Sequence, residues 1–493
     1  MRPVHDVDAI RKAEAALMAQ LPDGALMQRA ATALARRAAD ILERTYGARV
    51  VLLVGKGNNG GDAMYAGARL AARGARVDAM LLGAAEPPAA LTSLLRAGGH
   101  VRDAGTDDDR ALVDAADLVV DGMLGIGGTG ALRPPAARLA QLAADSAAVV
   151  LAVDVPSGVD AGSGQVDGAV VRADVTVTFG ALKPGLVVSP GAEQAGAVDC
   201  VDIGLDPHLP RSQLTMADAD DVADLLPRLA ADTDKYRRGV VGVAAGSDTY
   251  TGAAVLATGG AIVAGAGMVR FVSVTHPAEL VRQRWPEAVV TVVPSGDGDA
   301  VVRAGRVQAW VVGPGLGTGA ESAAVVRAVL GTDVPVIVDA DGLTVVAEHR
   351  DWLSSRTAPT VLTPHAGEFA RLVDAERSDV EAHRLTWVRR AAADLGVTVL
   401  LKGSTSLVAD PDGATRVNPT GTPLLGTAGS GDVLSGAIGA LLAAGLGSLD
   451  AATVGAYLHG MSARLAGASG ATISAADVLA HWHEAVATVL LPG

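Results

Sequence analysis

The stretch Gly426–Gly436, GTAGSGDVLSG, joins a glycine-rich turn to an apolar helical pattern and decides the interpretation of the C-terminal half. Small residues let backbone N–H groups converge at a helix N-terminus, where unpaired donors and the helix dipole attract an anion. Asp432 would repel that anion unless it has a chemical role, such as accepting a proton from a hydroxyl beside a phosphate. The stretch therefore predicts a phosphate-binding loop with a base. The alternative is a glycine turn in which Asp432 only caps the helix.

Composition excludes several classes of protein. A chain of 493 residues predicts two to four domains, and 49% hydrophobic residues supply ample core. A net charge of −14 argues against nucleic-acid binding, although backbone amides can bind phosphate without positive charge. Cys200 is the only cysteine, which excludes a disulfide framework and a cysteine-rich zinc site and indicates a reducing cytoplasm.

Two segments bear on localisation. Met1–Gln20 is charged throughout and has no signal-peptide pattern. Tyr250–Val269 is uncharged, but it consists mostly of Gly, Ala, Thr and Val, so a tightly packed helix is favoured over a membrane span. We expect a cytoplasmic protein without membrane or nucleic-acid partners.

The N-terminal half alternates buried strands with polar loops. Arg49–Val54 is an apolar run followed by the glycine loop Gly55–Asp62, GKGNNGGD, and a helical pattern. Strand, glycine loop and helix form the unit of a doubly wound α/β fold, in which ligands bind at the carboxyl ends of the strands. The loops after the later strands carry Asp121, Asp154 and Lys183, and we expect one shared site; the alternative is that the two aspartates only cap strand ends. The later predicted strands are Val77–Leu82, Leu118–Asp121, Val149–Val153 and Val175–Phe179.

Pro207 and Pro210, with a short acidic stretch, predict a domain boundary near 210, giving domains of residues 1–210 and 211–493. The second half restarts the alternation with a small-residue helix over Ala253–Gly265. Its predicted strands are Gly239–Ala245, Val269–Thr275, Ala309–Val312, Pro335–Val338, Thr360–Leu362 and Val397–Leu401.

These motifs resemble two known families. Asn58–Asp62 (NNGGD), Asp154–Gly158 (DVPSG) and Lys183 resemble the NAD(P)H-hydrate epimerase domain, whose fold is Rossmann-like and doubly wound. The second half resembles the ADP-dependent NAD(P)H-hydrate dehydratase domain, whose fold is ribokinase-like. The motifs that carry this second resemblance are Tyr250–Ala254, Gly313–Gly317, Thr363–Glu368, Lys402–Gly403 and Gly426–Gly436. The fused pair resembles the bacterial bifunctional NAD(P)H-hydrate repair enzymes.

The resemblance implies roles for residues of the first domain. Asp154 is a ligand-binding and catalytic carboxylate that would epimerise the hydrated ring carbon with help from Lys183, the donor and acceptor roles being left open. A potassium ion would be held by Asn59, Asp121 and Ser157. The implied contacts to the hydrated dinucleotide are Asn58, Asn59, Gly60, Gly61, Asp62, Gly125, Ile126, Gly127, Gly128, Thr129, Gly130 and Ala131.

In the second domain, Asp432 would deprotonate the hydrate hydroxyl, ADP would phosphorylate it, and elimination would restore NAD(P)H. Magnesium is expected with the phosphates. The implied adenine-nucleotide contacts are Lys402, Gly403, Ser404, Thr405, Ser406 and Gly431, and the implied contacts to the hydrated substrate are Ala254, Gly317 and His365. Asp339 and Asp341 are either strand-end acids or metal ligands. His459, His481 and His483 are interpreted as packing or surface residues.

Two other functions remain possible. The first is a ribokinase-like small-molecule kinase fused to a non-catalytic nucleotide-binding domain. The second, an NAD-dependent dehydrogenase, is disfavoured because Leu82 is not followed by an acidic ribose partner. The partners expected are the small molecules NADHX, NADPHX and ADP, together with a second copy of the chain. The residues do not separate NADH from NADPH, or ADP from ATP.

Overall fold

The computed structural model describes residues 1–83, 87–128, 130–228 and 234–491. The chain divides into two compact units. One, the N-terminal unit, is Pro3–Ser212; the other, the C-terminal unit, runs from Gln213 onward and includes Met1–Arg2. Each unit has its own β-sheet and hydrophobic core.

The chain up to residue 201 alternates strands and helices. In chain order these are β1 (Arg2–Val4), α1 (Val7–Met18), α2 (Ala25–Ile41), β2 (Arg49–Val54), α3 (Asn58–Ala72), β3 (Arg76–Leu81), α4 (Pro88–Arg96), β4 (His100–Asp103), α5 (Asp109–Asp114), β5 (Leu118–Gly122), α6 (Ala136–Asp145), β6 (Val149–Val153), β7 (Val175–Phe179), α7 (Pro184–Val187) and β8 (Ala197–Val201).

The sheet of the N-terminal unit is parallel, in the order β4-β3-β2-β5-β6-β7-β8. The chain leaves β2 in one direction to β3 and later returns to its other side with β5, which creates the switch point where ligands bind in such sheets. Buried residues cover both faces, with Leu52 in one core cluster and its neighbour Leu53 in the other. Successive residues of a strand point to opposite faces of the sheet. Each strand of a sheet that is buried on both faces is therefore a continuous run of apolar residues in the sequence.

The remaining elements belong to the C-terminal unit. In chain order they are β9 (Leu214–Met216), α8 (Ala219–Leu225), β10 (Val240–Ala244), α9 (Thr251–Val263), β11 (Met268–Ser273), α10 (Thr275–Arg284), β12 (Val289–Val292), α11 (Gly298–Val302), β13 (Ala309–Val312), α12 (Ala320–Leu330), β14 (Val336–Val338), α13 (Asp341–Glu348), α14 (Asp351–Ser354), β15 (Thr360–Leu362), α15 (Ala366–Val373), α16 (Arg377–Ala382), α17 (Arg384–Leu395), β16 (Thr398–Leu401), β17 (Ser406–Ala409), β18 (Thr415–Asn418), α18 (Ser430–Ala443), α19 (Ser448–Ala466), α20 (Ala475–Ala480) and α21 (Trp482–Leu490).

From β9 the sheet of this unit runs β18-β17-β16-β15-β14-β13-β10-β11-β12. It is parallel except where β17 pairs with β16 and β18. Helix α9 packs against α18 at glycines: a Cβ on Gly436 would lie 2.0 Å from the carbonyl oxygen of Ala257, and one on Gly260 would lie 2.1 Å from that of Val433. The uncharged segment at Tyr250–Val269 is therefore a core helix followed by the start of β11. Among the described residues, no helix is long and apolar enough to cross a bilayer.

Candidate functional site

Asp154 and Lys183 form a buried ion pair at the carboxyl edge of the N-terminal sheet. Asp154 follows β6 with a φ of +68°, a left-handed conformation that aspartate tolerates better than most residues. Lys183, 1% exposed, places Nζ 2.6 Å from Asp154 Oδ1 and also donates to the Thr178 hydroxyl and to the carbonyls of Phe179 and Ala181. In the part of the chain that the structure describes, the side-chain hydrogen bonds of Asp154 are all made by Oδ1.

A second cluster, rich in oxygen atoms, lies at the same edge. Asp121 accepts hydrogen bonds from the Ser157 amide at 2.8 Å and from the Ser157 hydroxyl at 2.7 Å. The Asn59 amide nitrogen donates to the carbonyls of Leu124 at 3.1 Å and Val153 at 2.6 Å. Complete burial raises the pKa of Asp121 to about 6, although its hydrogen bonds from Ser157 and Met123 favour the ionised form.

The carboxyl groups of Asp62 and Glu14 also interact electrostatically with this edge. Burial raises the pKa of Asp62 well above its usual range, and the negative charges of Asp154 and Glu14 raise it further. Oδ1 of Asp62 is buried without a hydrogen-bond partner among the described residues. Burial and Asp154 also raise the pKa of Glu14, against the opposing effects of Lys183 and Arg11. Glu14 was not predicted, because it lies on helix α1, far in sequence from the glycine loops.

The glycine loop after β5 packs directly on the oxygen cluster. A Cβ on Gly125 would lie 2.4 Å from the Asn59 side-chain oxygen, so only glycine fits there without displacing the amide. The Arg11 guanidinium donates from Nη2 to the Ile126 carbonyl at 3.0 Å. The predicted residue Thr129 lies outside the described residues.

The structure thus brings the loops after β2, β5, β6 and β7 of this unit together. Hydrogen bonds link Asn59, Asp121 and Ser157 to one another through Leu124, as the polar loops predicted. Asp62 reaches the same region from the first turns of α3, where Gly60 and Gly61 are also buried.

In the C-terminal unit, Asp432 lies in the first turn of α18, after Gly429 with a φ of +86°. Burial raises the pKa of Asp432 to about 7; Asp339, Asp341 and Glu368 add to the shift and Lys402 opposes it. A carboxylate that changes protonation near neutral pH can act as a general base under physiological conditions.

Lys402 lies between the carboxylates beside this helix. Its Nζ is 2.9 Å from Asp339 Oδ1 and 3.9 Å from Glu368 Oε2, and a Cβ on Gly431 would lie only 3.1 Å from it. Burial alone would lower the pKa of Lys402, but Asp339, Glu368 and Asp432 outweigh it and raise that pKa. The other oxygen of Asp339 accepts from the Ser435 hydroxyl at 2.5 Å. Asp339 is thus held by a lysine and a helix hydroxyl.

His365 is the N-cap of helix α15. Its Nδ1 accepts hydrogen bonds from the backbone amides of Gly367 at 3.0 Å and Glu368 at 3.2 Å, and the Glu368 carboxylate accepts from the His365 amide. Because Nδ1 is an acceptor, the proton of the neutral ring is on Nε2, which lies 3.5 Å from Glu368 Oε1. Nearby, Asp341 Oδ2 accepts from the Gly317 amide at 2.8 Å.

Arg384, which the sequence did not single out, supports the predicted nucleotide loop. It is 5% exposed, and its Nη2 donates to the carbonyls of Leu401, Lys402 and Thr405 at 3.1, 3.1 and 3.3 Å. A Cβ on Gly403 would lie 2.5 Å from the same nitrogen. No local motif marks Arg384, because it lies at the start of α17, 18 residues before Lys402.

The surroundings of the remaining predicted residues differ from one residue to the next. Ala254 is fully buried on α9, and Gly317 has a φ of +81°. His459 is buried and close to Ser430: its Nε2 lies 2.8 Å from that carbonyl, and burial lowers its pKa to about 4. His459 is therefore a packing residue, one of the two interpretations given to it. His483 is exposed.

The two units together define a class of α/β enzyme that joins a doubly wound domain to a kinase-like domain. The family model described as YjeF-related protein N-terminus matches residues 23–185, and the one described as NAD(P)H-hydrate dehydratase matches residues 241–482. The bifunctional NAD(P)H-hydrate repair enzyme Nnr of Mycobacterium tuberculosis is 48% identical over 448 residues, which cover 90% of this chain and 89% of that one. The chain belongs to the family of bifunctional NAD(P)H-hydrate repair enzymes.

Two solved structures resemble the C-terminal part. The ADP/ATP-dependent NAD(P)H-hydrate dehydratase of Bacillus subtilis, co-crystallised with ATP and Mg²⁺, has a TM-score of 0.52 and 29% identity over 56% of this chain and 98% of that one. A ribokinase-like superfamily protein of Enterococcus faecalis has a TM-score of 0.51 and 24% identity over 58% of this chain and 99% of that one, which shows the fold alone. The predicted fold class and family are confirmed, and the predicted function, an isomerase and a lyase in one chain, is that of the family.

Proposed function

We propose that this chain repairs hydrated NAD(P)H in two steps, with one activity in each predicted domain. Residues 1–210 would interconvert the R and S forms of the hydrate, and residues 211–493 would convert the S form back to NAD(P)H at the expense of ADP. The observation that carries the proposal is the position of Asp432 in the first turn of a glycine-preceded helix, next to the Lys402–Asp339 pair, where burial raises its pKa to about 7. A base that titrates near neutral pH beside an anion-binding helix end suits phosphorylation of a hydroxyl.

The epimerase step requires a bond at the hydrated ring carbon to open and close, with one proton removed and one returned. Lys183 and Asp154 provide a donor and an acceptor in contact with each other. Because the described hydrogen bonds of Asp154 use Oδ1, we assign the contact with the substrate to Oδ2. Asp62 is a second group that could exchange a proton with the substrate, since burial raises its pKa. The remaining residues of Asn58–Asp62 and Gly125–Ala131 would enclose the dinucleotide.

A monovalent cation fits the oxygen cluster of Asn59, Asp121 and Ser157. The cluster supplies one carboxylate, one hydroxyl and the carbonyls of Leu124 and Val153, and hard cations prefer oxygen ligands. The Asn59 amide presents its nitrogen to both carbonyls, so it would rotate to offer its oxygen. Potassium would neutralise Asp121 and fix the glycine loop.

In the dehydratase step, Asp432 would take the proton of the hydrate hydroxyl as that oxygen attacks the terminal phosphoryl group of ADP. AMP leaves, and elimination of phosphate together with a proton from the adjacent ring carbon of the phosphorylated hydrate gives NAD(P)H. Lys402, held by Asp339, would place its positive charge beside the transferred phosphoryl group. Residues 402–406 and Gly431 would contact the adenine nucleotide, and Ala254, Gly317 and His365 the hydrated substrate. Magnesium, present with ATP in the Bacillus subtilis crystals, would neutralise phosphate charge.

The experiment is to give the purified chain hydrated NADH as separate R and S forms, with ADP and Mg²⁺, and to follow the absorbance of the reduced nicotinamide. We expect signal from both forms, with the R form dependent on Asp154 and both forms dependent on Asp432. A chain that consumes nucleotide on an alcohol without regenerating NADH would instead be a small-molecule kinase. Replacing ADP by ATP, and NADHX by NADPHX, measures both preferences. Location in the cytoplasm and assembly as a homo-oligomer stay predictions.

A further inference from the structure

Helix α1 has one apolar face and one charged face. Its buried side chains are Ile10, Ala13 and Leu17, which join the core of the N-terminal unit. Arg11 and Glu14 are three residues apart, so they are neighbours on the helix surface. Both side chains interact with the site edge, although α1 precedes all the loops of that edge in sequence.

Arg11 contacts the glycine loop directly. Its Nη2 donates to the Ile126 carbonyl at 3.0 Å, and a Cβ on Gly127 would lie 3.6 Å from the same nitrogen. The Arg11 side chain is 51% exposed, and its pairing with Asp8 is a surface pair at 3.9 Å. A guanidinium carries five donors in a planar fork, so one bond to a carbonyl leaves most of them for a ligand.

Glu14 shows that this face of α1 lies next to the proposed epimerase residues. The charged groups that act on the Glu14 carboxyl are Asp154, Lys183 and Arg11, and Glu14 in turn acts on Asp62. Arg11 and the Asp154–Lys183 pair are therefore both close enough to Glu14 to act on its carboxyl group.

The charge balance of this edge calls for a cation. A hydrated dinucleotide carries a negatively charged pyrophosphate, and the Asp154 carboxylate lies at the same edge. Lys183 is buried and donates hydrogen bonds to four oxygen atoms of the protein, so its ammonium group is already engaged within the protein. Arg11 is half-exposed and fixed to the loop that would enclose the substrate. We propose that α1 is a wall of the epimerase site and that Arg11 binds the phosphates of the hydrated dinucleotide. The inference rests on the proposed epimerase function.

The test compares two substrates, hydrated NADH and hydrated reduced nicotinamide riboside, which has no phosphate. For Arg11→Gln we expect the epimerase KM for hydrated NADH to rise about tenfold, the change typical of losing one charged hydrogen bond, with kcat nearly unchanged. For the riboside the same variant should behave as the parent protein. Arg11→Lys keeps the charge but not the fork and should fall between them.

Lys12→Gln is the matched control, since it removes a charge from the adjacent exposed position of α1. Circular dichroism, to which both units contribute, reports whether each variant is intact. An equal KM increase for both substrates would mean that Arg11 only anchors the loop, and an unchanged KM for hydrated NADH would also overturn the inference. A parent protein without epimerase activity would instead refute the proposed function itself.

Discussion

Lys183 Nζ and Asp154 Oδ1 are 2.6 Å apart in a pair whose side chains are 1% and 9% exposed. Removing one member of such a pair leaves an uncompensated buried charge, which costs about 3–5 kcal/mol, whereas removing both is far less costly. We predict that Lys183→Met and Asp154→Asn each destabilise the N-terminal unit strongly and that the double variant costs less than their sum.

The tryptophans allow this cycle to be measured in the intact chain. All five, Trp285 to Trp482, follow residue 212, so tryptophan fluorescence reports unfolding of the C-terminal unit. Circular dichroism reports both units. The variants should shift only the unfolding transition that is seen by circular dichroism and not by fluorescence. If the stability lost in the double variant equals the sum of the two single losses, the two charges do not stabilise each other.

The dehydratase should gain activity as the pH rises through about 7. Asp432 must be ionised to accept a proton, and burial, Asp339, Asp341 and Glu368 raise its pKa to about 7 against the effect of Lys402. Below that pH the rate should fall about tenfold per pH unit, because the ionised fraction falls in that proportion. Steady-state rates with the S form and saturating ADP measure the profile.

The matching variant is Asp432→Asn, for which we expect at least about a hundredfold loss of dehydratase activity. The melting temperature of the C-terminal unit should not fall, since the variant removes a carboxylate that burial disfavours. A profile that is flat between pH 6 and about pH 8 would reject Asp432 as the base.

Asp62 should make the N-terminal unit less stable as the pH rises. Its pKa is higher in the folded state than in the unfolded state, so the folded state holds the proton over the interval between the two values. Stability is therefore highest below the unfolded value, near 4, and is lost as the pH rises towards the folded value. Asp62→Asn should remove this slope and raise the melting temperature at pH 8, as followed by circular dichroism. A steeper slope in the variant would contradict the assignment.

Arg384 should control nucleotide binding without touching the nucleotide. Arg384→Met removes the donor that holds three carbonyls of residues 401–405, and we expect a KM for ADP at least about tenfold higher. Arg384→Lys should restore part of the affinity. Arg390→Met, on the exposed side of the same helix, is the control. Epimerase activity should be equal in all three variants, and an unchanged KM for ADP in Arg384→Met would refute the positioning role.

Gly125→Ala should change the response to potassium. The added Cβ would lie 2.4–2.6 Å from the Asn59 amide atoms, so the amide must move away from the carbonyls that would share the cation. We expect epimerase activity to require a higher potassium concentration, measured by titration with potassium chloride at constant ionic strength. Gly162→Ala is the control, because its Cβ meets nothing closer than 3.5 Å.

The sequence predicted the central strands well because strands buried on both faces are continuous apolar runs. Arg49–Val54, Val149–Val153 and Val175–Phe179 have the predicted bounds. The edge strands β4 (HVRD) and β8 (AVDCV) were not predicted, because an edge strand is partly exposed and its sequence is mixed. The short antiparallel strands β17 and β18 were missed as well.

Candidate site residues could be predicted where they lie within short sequence motifs. Glycine-rich loops led to the prediction of Asp154, Asp121 and Asp432, and the loops that carry Asp121 and Asp154 follow neighbouring parallel strands, whose carboxyl ends lie at one edge. The sequence did not predict Glu14, Arg11 and Arg384, because these side chains approach the loops from helices. A short sequence motif does not reveal where a helix lies in space. The pairing of Asp339 with Lys402 spans 63 residues and depended on the order of the strands.

A Cβ on Gly431 would lie only 3.1 Å from Lys402 Nζ, and Lys183 Nζ donates to four oxygen atoms of the protein. Arginine has a wider, planar head, so at either place it would have to displace these neighbours. Only five of the 40 basic residues of this chain are lysines, and these two are among them. The exchange of lysine for arginine, usually counted as conservative, would therefore disturb both units of this chain at their buried cations.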